Sequence, residues 1–249
     1  MIKFFRRIRQ KLFTENKFGK YVLYAIGEIA LVVIGILIAL SVNNNNELRK
    51  LQQLETKSLQ ELKRALELDL SDINYNAKRH KNAQLSAEIV LVALNTDLPY
   101  HDSLSIHFER STNITVFLPN LGPYETLKAR GLDLIENDSL RNEISKYYEQ
   151  DIKYAFVFED ANIQMWPMKF ELILDHFDEF KMFNSATPFD FEKLKNDRRF
   201  KSYIKLTSNL RGIESNVYAN RMHSSCSKLI ELIEKEITKG SQRIGPVLQ

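Results

Sequence analysis

The chain's scarcest reactive side chains are five histidines and one cysteine, Cys226. His101 and His107 are six residues apart, a step that turns them to different faces of a helix. They read as exposed loop histidines, not as metal ligands. Asp175, His176, Asp178 and Glu179 are all of ligand-capable type. They are interleaved with Phe177 and Phe180, which is the pattern of a helix with a solvated face. Cys226 lies between Met222 and Leu229 on an apolar stripe, where a thiol packs as a small hydrophobe; His223 is the nearby base for a reactive alternative. One cysteine excludes an internal disulfide framework and the usual Cys-based zinc site. The eight glycines are scattered, so there is no Gly-rich phosphate loop, and no GxSxG, HExxH or EF-hand pattern occurs. The expectation is a protein with no catalytic residues, no metal and no cofactor.

Binding, in contrast to catalysis, has two candidate locations. Tyr124, Lys128 and Arg130 sit on a short segment bounded by Gly122-Pro123 and Gly131. Short helices of this kind cover clefts or present partner faces, and these residue types suit an interface; the alternative is that Tyr124 and Leu127 close one end of a bundle. The second location is Glu28, Gly35 and Ala39, which share one face of an apolar helix. Gly35 and Ala39 form a small-xxx-small pair that lets helices approach closely. A carboxylate at that depth in a membrane costs about 2.5–3.5 kcal/mol on insertion scales. A self-association face, or contact with another membrane protein, would shelter Glu28; protonation or snorkelling to the interface would also relieve it. Trp166, Tyr147 and Tyr148 read as core aromatics.

The elements that must position these residues begin with residues 21–42, YVLYAIGEIALVVIGILIALSV, in which Glu28 is the sole charge. At about 1.5 Å per residue this segment spans roughly 33 Å, enough to cross the hydrocarbon core. Its length and its Leu37/Ala39 pair argue for an uncleaved signal-anchor over a cleaved signal peptide. Residues 1–20 hold seven basic residues and one acid, a net of +6 against a whole-chain charge of +3. The positive-inside rule then places the N-terminus in the cytoplasm and residues beyond about Asn43 outside it. Residues 2–13 are amphipathic. Lys3, Arg6, Arg7 and Lys11 face anionic lipid on the inner membrane surface, as a retention anchor or as a docking site for a cytoplasmic partner. The remaining, larger part is near neutral and gives no electrostatic case for nucleic acid.

The 249 residues, 44% apolar and 27% charged, otherwise read as helices. Leu48, Leu51, Leu59, Leu62, Leu66, Leu70 and Ile73 define a stripe, and no Gly or Pro falls between Val42 and Leu98. A helix is therefore expected to continue from the apolar segment to about Leu94. Leu54 and Leu68 fall off a strict heptad seam, which argues for a bundle helix over a pure coiled-coil stalk. ITVF at 114–117 suggests a short extended piece. Asn137, Asp138 and Ser139 offer an N-cap for a second long helix through Leu140, Ile144, Tyr148, Ile152, Ala155 and Phe158. A break is expected at Pro167, with the helix resuming through Phe170, Leu174 and Phe177. Residues 184–190 read as a loop. A last helix runs from about Asp197 to Lys239 on a stripe of Leu206, Leu210, Ile213 and Val217, shifting to Met222, Cys226, Leu229 and Ile233. The fold class is all-α, with a transmembrane helix followed by an elongated bundle of three long helices plus short ones. The division is 1–20 cytoplasmic, 21–42 membrane, 43–239 extracytoplasmic domain and 240–249 flexible tail.

The run NKFGKYVLYAIGEIALVVIGILIALSVNNNNE resembles the N-terminus of a bacterial membrane-protein family of unknown function common in the Bacteroidetes lineage. The likeness is strong over residues 1–60, and Asn43–Asn46 replaces what is usually an aromatic-containing asparagine run. The run YETLKARGLDLIENDSLRNEISKYYE resembles the same family more weakly. The resemblance implies a Gram-negative inner membrane and a periplasmic domain, and it brings no activity. A bacterial host would make the acceptor patterns Asn113-Ile114-Thr115 and Asn137-Asp138-Ser139 irrelevant to glycosylation. The function expected is partner binding or scaffolding by a periplasmic helical domain. Its partners would be membrane lipids and either a second protein or the chain itself through the membrane helix. A tail of about 20 residues is too short for an output domain, so the alternative, a ligand-sensing bundle, would signal through a membrane partner. An envelope enzyme ranks third.

Overall fold

The computed structural model describes residues 18–244. The amphipathic segment with Lys3, Arg6, Arg7 and Lys11, and residues 245–249, lie outside the described residues. The chain divides into two compact units between Leu54 and Glu55, a boundary that falls inside helix α1, Phe18–Leu94. In the first unit, the apolar side chains from Leu23 to Val42 stand exposed. This stretch is long and apolar enough to cross a membrane. Contiguous apolar surface of that extent marks an interaction with lipid or protein. Glu28, Gly35 and Ala39 lie on this uncovered helix, and a Cβ added at Gly35 would meet nothing. Leu48 and Leu51, expected at the start of the bundle stripe, are exposed as well; close packing starts at Ser58 and Leu59.

In the second unit, α1 presents one buried line: Leu62, Leu66, Asp69, Ile73, Asn76, His80, Ala83, Ala87, Val90 and Leu94. Steps of four and three alternate throughout, the seam spacing of helices packed at a shallow angle. The seam belongs to a bundle helix, as expected, but it runs further than its leucines show. Counting apolar residues alone passes over it, because Asp69, Asn76 and His80 occupy three of its positions. Leu68 is exposed, as its place off the seam requires.

Around this seam the remaining elements follow in chain order. Helix α2 is Leu104–Thr112 and α3 is Gly122–Arg130, with Pro123 in its first turn. Gly131 ends α3 at φ 105°, a conformation that favours glycine. A 3-10 turn, Leu132–Leu134, leads to α4, Asp138–Lys146. The Asn137 side chain caps α4 by accepting from the Ser139 and Leu140 amides. A π-helical turn, Tyr147–Asp151, joins α4 to α5, Ile152–Gln164. The helix breaks at Met165 and restarts as α6, Trp166–His176, with Pro167 in its first turn. Strands β1, Phe177–Lys181, and β2, Ser185–Pro188, form an antiparallel hairpin with an irregularity between Phe177 and Glu179. Then come α7, Phe191–Asn196, and α8, Arg198–Asn216, which a second π-helical turn, Val217–Met222, joins to α9, His223–Ile244.

Among the described residues the regular structure is all-helical apart from that hairpin, which occupies residues expected to be a helix end and a loop. Its five- and four-residue strands are too short for a period-2 signal; Phe177 and Ala186 turn inward. Residues 114–117, expected to be extended, belong to no sheet. On α8 the expected stripe is corrected: Leu206 and Ile213 are exposed, whereas Tyr203, Thr207, Arg211 and Glu214 are buried. The π turn then inserts extra backbone, and the buried line resumes at Met222, Cys226, Leu229 and Ile233. Trp166, expected in the core, is exposed.

Two apolar cores result. One joins Leu59–Ile73 of α1 to residues of α3, α4, α5 and α9, with Ile144, Tyr147 and Cys226 at its centre. The other joins Ala87–Leu94 to α2, the hairpin, α7 and α8 around Phe108 and Phe200. Leu66 is fully buried in the first core. Leu66→Ala is expected to lower the stability of the full chain by about 2–5 kcal/mol. Leu68→Ala, on the exposed face, should change it by no more than about 0.5 kcal/mol. Chemical denaturation in an uncharged detergent measures both.

Candidate functional site

Between the two apolar cores lies a seam of buried polar side chains supplied by four helical elements. The seam spacing of α1 places Asn76 and His80 there. From α5 come Glu159 and Asn162, from α8 Arg211 and Glu214, and from the second π turn Tyr218, all buried. Arg211 is 1% exposed, yet it keeps a charge partner: its Nη1 donates to Glu214 Oε2 at 2.7 Å. Asn162 Nδ2 donates to the other Glu214 oxygen and to the Phe158 carbonyl. The Tyr218 hydroxyl donates to Glu159 Oε1, and the same oxygen accepts the Phe117 amide at 2.8 Å. Buried charges persist in proteins when paired and hydrogen-bonded in this way.

Side chains of the seam also hold the irregular segment between α2 and α3. Thr115 Oγ1 donates to Asn76 Oδ1 at 2.6 Å. The Leu118 amide donates to Asp72 Oδ2 at 3.2 Å. Asp69 Oδ1 accepts both the Asn120 amide, at 2.8 Å, and Asn120 Nδ2, at 2.7 Å. A chain segment without regular structure must satisfy its amides elsewhere; here the carboxylates of α1 and α5 do so.

His80 stands outside this pattern with both ring nitrogens, as Arg211 Nε and Asp69 Oδ2 do with one atom each. The His80 ring stacks on Tyr218, with centroids 5.5 Å apart and 8° between planes. Nδ1 lies 3.2 Å from Glu214 Oε2, but neither ring nitrogen makes a hydrogen bond among the described residues. Burial, then the charges of Arg211 and Arg79, push its pKa down to about 3, so the ring is neutral. Burial pushes the Glu214 carboxyl up to about 7 against the pull of Arg211, and raises Glu159 as well. Lys169 of α6 is buried near this seam and drops to about 8, through burial and then the Arg211 charge.

The residues singled out from sequence fall elsewhere. Tyr124 is 5% exposed, so it belongs to the core and not to an open surface. It stacks on Tyr148 at 4.2 Å, and its hydroxyl donates to Glu149 Oε1 at 2.9 Å. Lys128 and Lys153 donate to the two oxygens of Glu149 at 2.6 Å each. The bond from Lys128, then that from Lys153, holds the Glu149 carboxyl down at about 2. Arg130 reaches back to Ser58 Oγ at 3.5 Å. This cluster clasps α3 to the first π turn. Cys226 is fully buried, its Sγ donating to the Leu66 carbonyl, and burial lifts its thiol to about 12. His176 ends α6 with its Nε2 3.0 Å from Asp197 Oδ2, and among the described residues it belongs to no cluster of three or more side chains placed to hold a metal ion. His101 pairs with Ser103, and His107, on α2, with Ser86.

The polar seam itself was missed from sequence, although Asp69, Asn76 and His80 keep the spacing of Leu62, Leu66 and Ile73. A His80→Gln variant tests its charge state. A base whose folded pKa is depressed contributes stability above its unfolded value, near 6.5, and loses it as pH falls. The stability margin of wild type over His80→Gln should therefore shrink as pH drops from 6.5 toward 4.5, by up to about 1.4 kcal/mol per pH unit. Denaturation midpoints across that range measure it, and a constant margin would show a ring that takes up its proton as readily as in the unfolded chain.

No curated protein and no solved structure matches the chain. A family model does match, over residues 28–187, which take in most of α1, the pinned segment, and α2 through the hairpin. The chain therefore belongs to the family of unknown function DUF6090.

Proposed function

We propose that the chain is a single-pass inner-membrane protein of a Gram-negative envelope whose periplasmic helical domain binds a protein partner without catalysing a reaction. The uncovered apolar helix and the basic residues before it support the anchor and its orientation. Glu28, Gly35 and Ala39 would then face another membrane helix, its own copy or a partner's. The observation that carries partner binding is the outer face of α6. Trp166, Phe170 and Leu174 follow one another at helical spacing and are all exposed, Leu174 by 77%. Met182 and Phe183 at the hairpin tip are exposed as well, and Phe183 holds φ 63°, a conformation that bulky side chains rarely adopt. Aromatic anchors of this kind dominate interface energetics. Asp175 and Asp178, exposed and without an ion pair among the described residues, give that region an acidic rim. The occupant it fits is a protein presenting an apolar ridge with basic flanks; anionic lipid would be repelled. A non-catalytic role accords with the titratable groups of the seam, which are mostly spent on one another below the surface.

A second reading, a ligand-sensing bundle signalling through a membrane partner, is favoured by one observation: a polar opening reaches the unpartnered ring of His80.

The partner reading is tested in washed membranes. Alkaline carbonate should leave the full chain in the pellet. A photoreactive residue at Leu174 should give one adduct of defined mass, lost on Phe170→Glu, whereas the same probe at Lys146 should give none. Release by carbonate contradicts the anchor; equal labelling from both positions contradicts the docking face.

A further inference from the structure

We propose that the opening between α1 and the end of α2, lined by Arg79, His80, Asn82, Arg110, Asn113 and Thr115, binds a small oxyanion from solution, a carboxylate or a phosphate. The inference rests on the ligand-sensing reading and is independent of partner docking. Its lining carries two guanidinium groups and no carboxylate. Arg110 makes no ion pair among the described residues, and Arg79 only lies 6.0 Å over the exposed Tyr75 ring. Two such groups converging on one opening suit the planar or tetrahedral oxygens of an oxyanion, which they hold by charge-assisted hydrogen bonds.

The floor of the opening supplies an independent observation. His80 is 0% exposed and lines it, yet both ring nitrogens lack hydrogen bonds. A buried polar group left without a partner calls for a ligand or a water there. With Nδ1 toward Glu214, Nε2 is the atom left for an incoming oxygen, to which it donates as the Nε2–H tautomer of the neutral ring. Neither nearby carboxylate bonds to Arg79 or Arg110 among the described residues. Glu109 Oε1 accepts Asn113 Nδ2 at 3.2 Å and the Phe183 amide at 2.6 Å, and Glu214 accepts Arg211 and Asn162. Asn113 thus spends one of its two amide hydrogens on Glu109 and keeps the other. Asn82 makes no side-chain hydrogen bond among the described residues and adds an amide at the rim.

Size restricts the ligand. The cavity volume is about 110 Å³, the room of three or four waters at about 30 Å³ each. That holds an inorganic phosphate or a short carboxylate.

The test is calorimetric titration of the full chain in an uncharged detergent with inorganic phosphate and with acetate, against chloride at matched ionic strength. The expected result is a saturable one-to-one heat for at least one of the two. Arg110→Gln and Arg79→Gln should each weaken it tenfold or more, and Lys205→Gln, an exposed cation elsewhere on α8, should leave it unchanged. Both arginines are on the rim, so their variants should melt with the wild type. The ¹⁵N resonance of His80 Nε2 should move on saturation, which a diffuse attraction to surface charge would not cause. Absence of saturable heat with both anions overturns the site, as does an Arg110→Gln variant that binds as tightly as wild type. Binding that leaves crosslinking of the membrane helix unchanged would overturn sensing while keeping the site.

Discussion

A helix that buries Asp69, Asn76 and His80 on its packing seam imposes a demand on everything around it. Each buried polar atom left without a partner costs roughly 1–3 kcal/mol, so neighbouring elements must bring donors and acceptors to fixed heights along α1. The segment between α2 and α3 meets part of that demand through Asn120 and Thr115. In doing so it carries Phe117 into the first core and its amide onto Glu159. Glu159 in turn receives Tyr218, whose ring covers His80. The irregular segment, α5 and the second π turn are thereby tied to α1 through one chain of polar contacts.

This arrangement fixes register as much as it adds stability. Apolar packing tolerates sliding and repacking, but Asp69 finds Asn120, and Asn76 finds Thr115, at one height only. A buried pair such as Arg211 and Glu214 returns little net stability over an apolar pair of the same shape. What ties α8 to its surroundings is the other Glu214 oxygen, which accepts Asn162 of α5 just before the π turn that brings Tyr218 over His80. The same logic accounts for two apolar cores instead of one, since the polar layer separates Ile73 from Ala87 along the seam.

Much of the helical frame was legible in the sequence, because caps and breakers act locally. Leu94 as the end of α1, the Gly122–Gly131 helix, the Asn137 cap and the restart at Pro167 each follow from one or two residues. What escaped depends on contacts distant in sequence. The α8 stripe was drawn through Leu206 and Ile213 because they are apolar. The face that packs was chosen by Arg211 and Glu214, whose burial is affordable only once Asn162 and His80 surround them. Tyr124 could be read from sequence as a partner surface or as closing one end of the bundle; its stacking partner 24 residues on, Tyr148, decides for the second. Trp166 was placed in the core because nothing local reveals that the outer face of α6 is left uncovered. The candidate site was the least legible part: His80 is one member of a regular seam, and its lack of a partner is visible only in three dimensions.

The polar seam of α1 organises the segment that follows α2. Native-state hydrogen exchange at the Phe117, Leu118 and Asn120 amides reads this directly. If Glu159, Asp72 and Asp69 hold those amides, Phe117 and Asn120 should be protected nearly as well as the buried helical amides of α1, and Asp69→Ala should release Asn120 first. Exchange at the rate of the open loop at Asp97 and Leu98 would contradict it, leaving an ordinary apolar bundle with a passive loop.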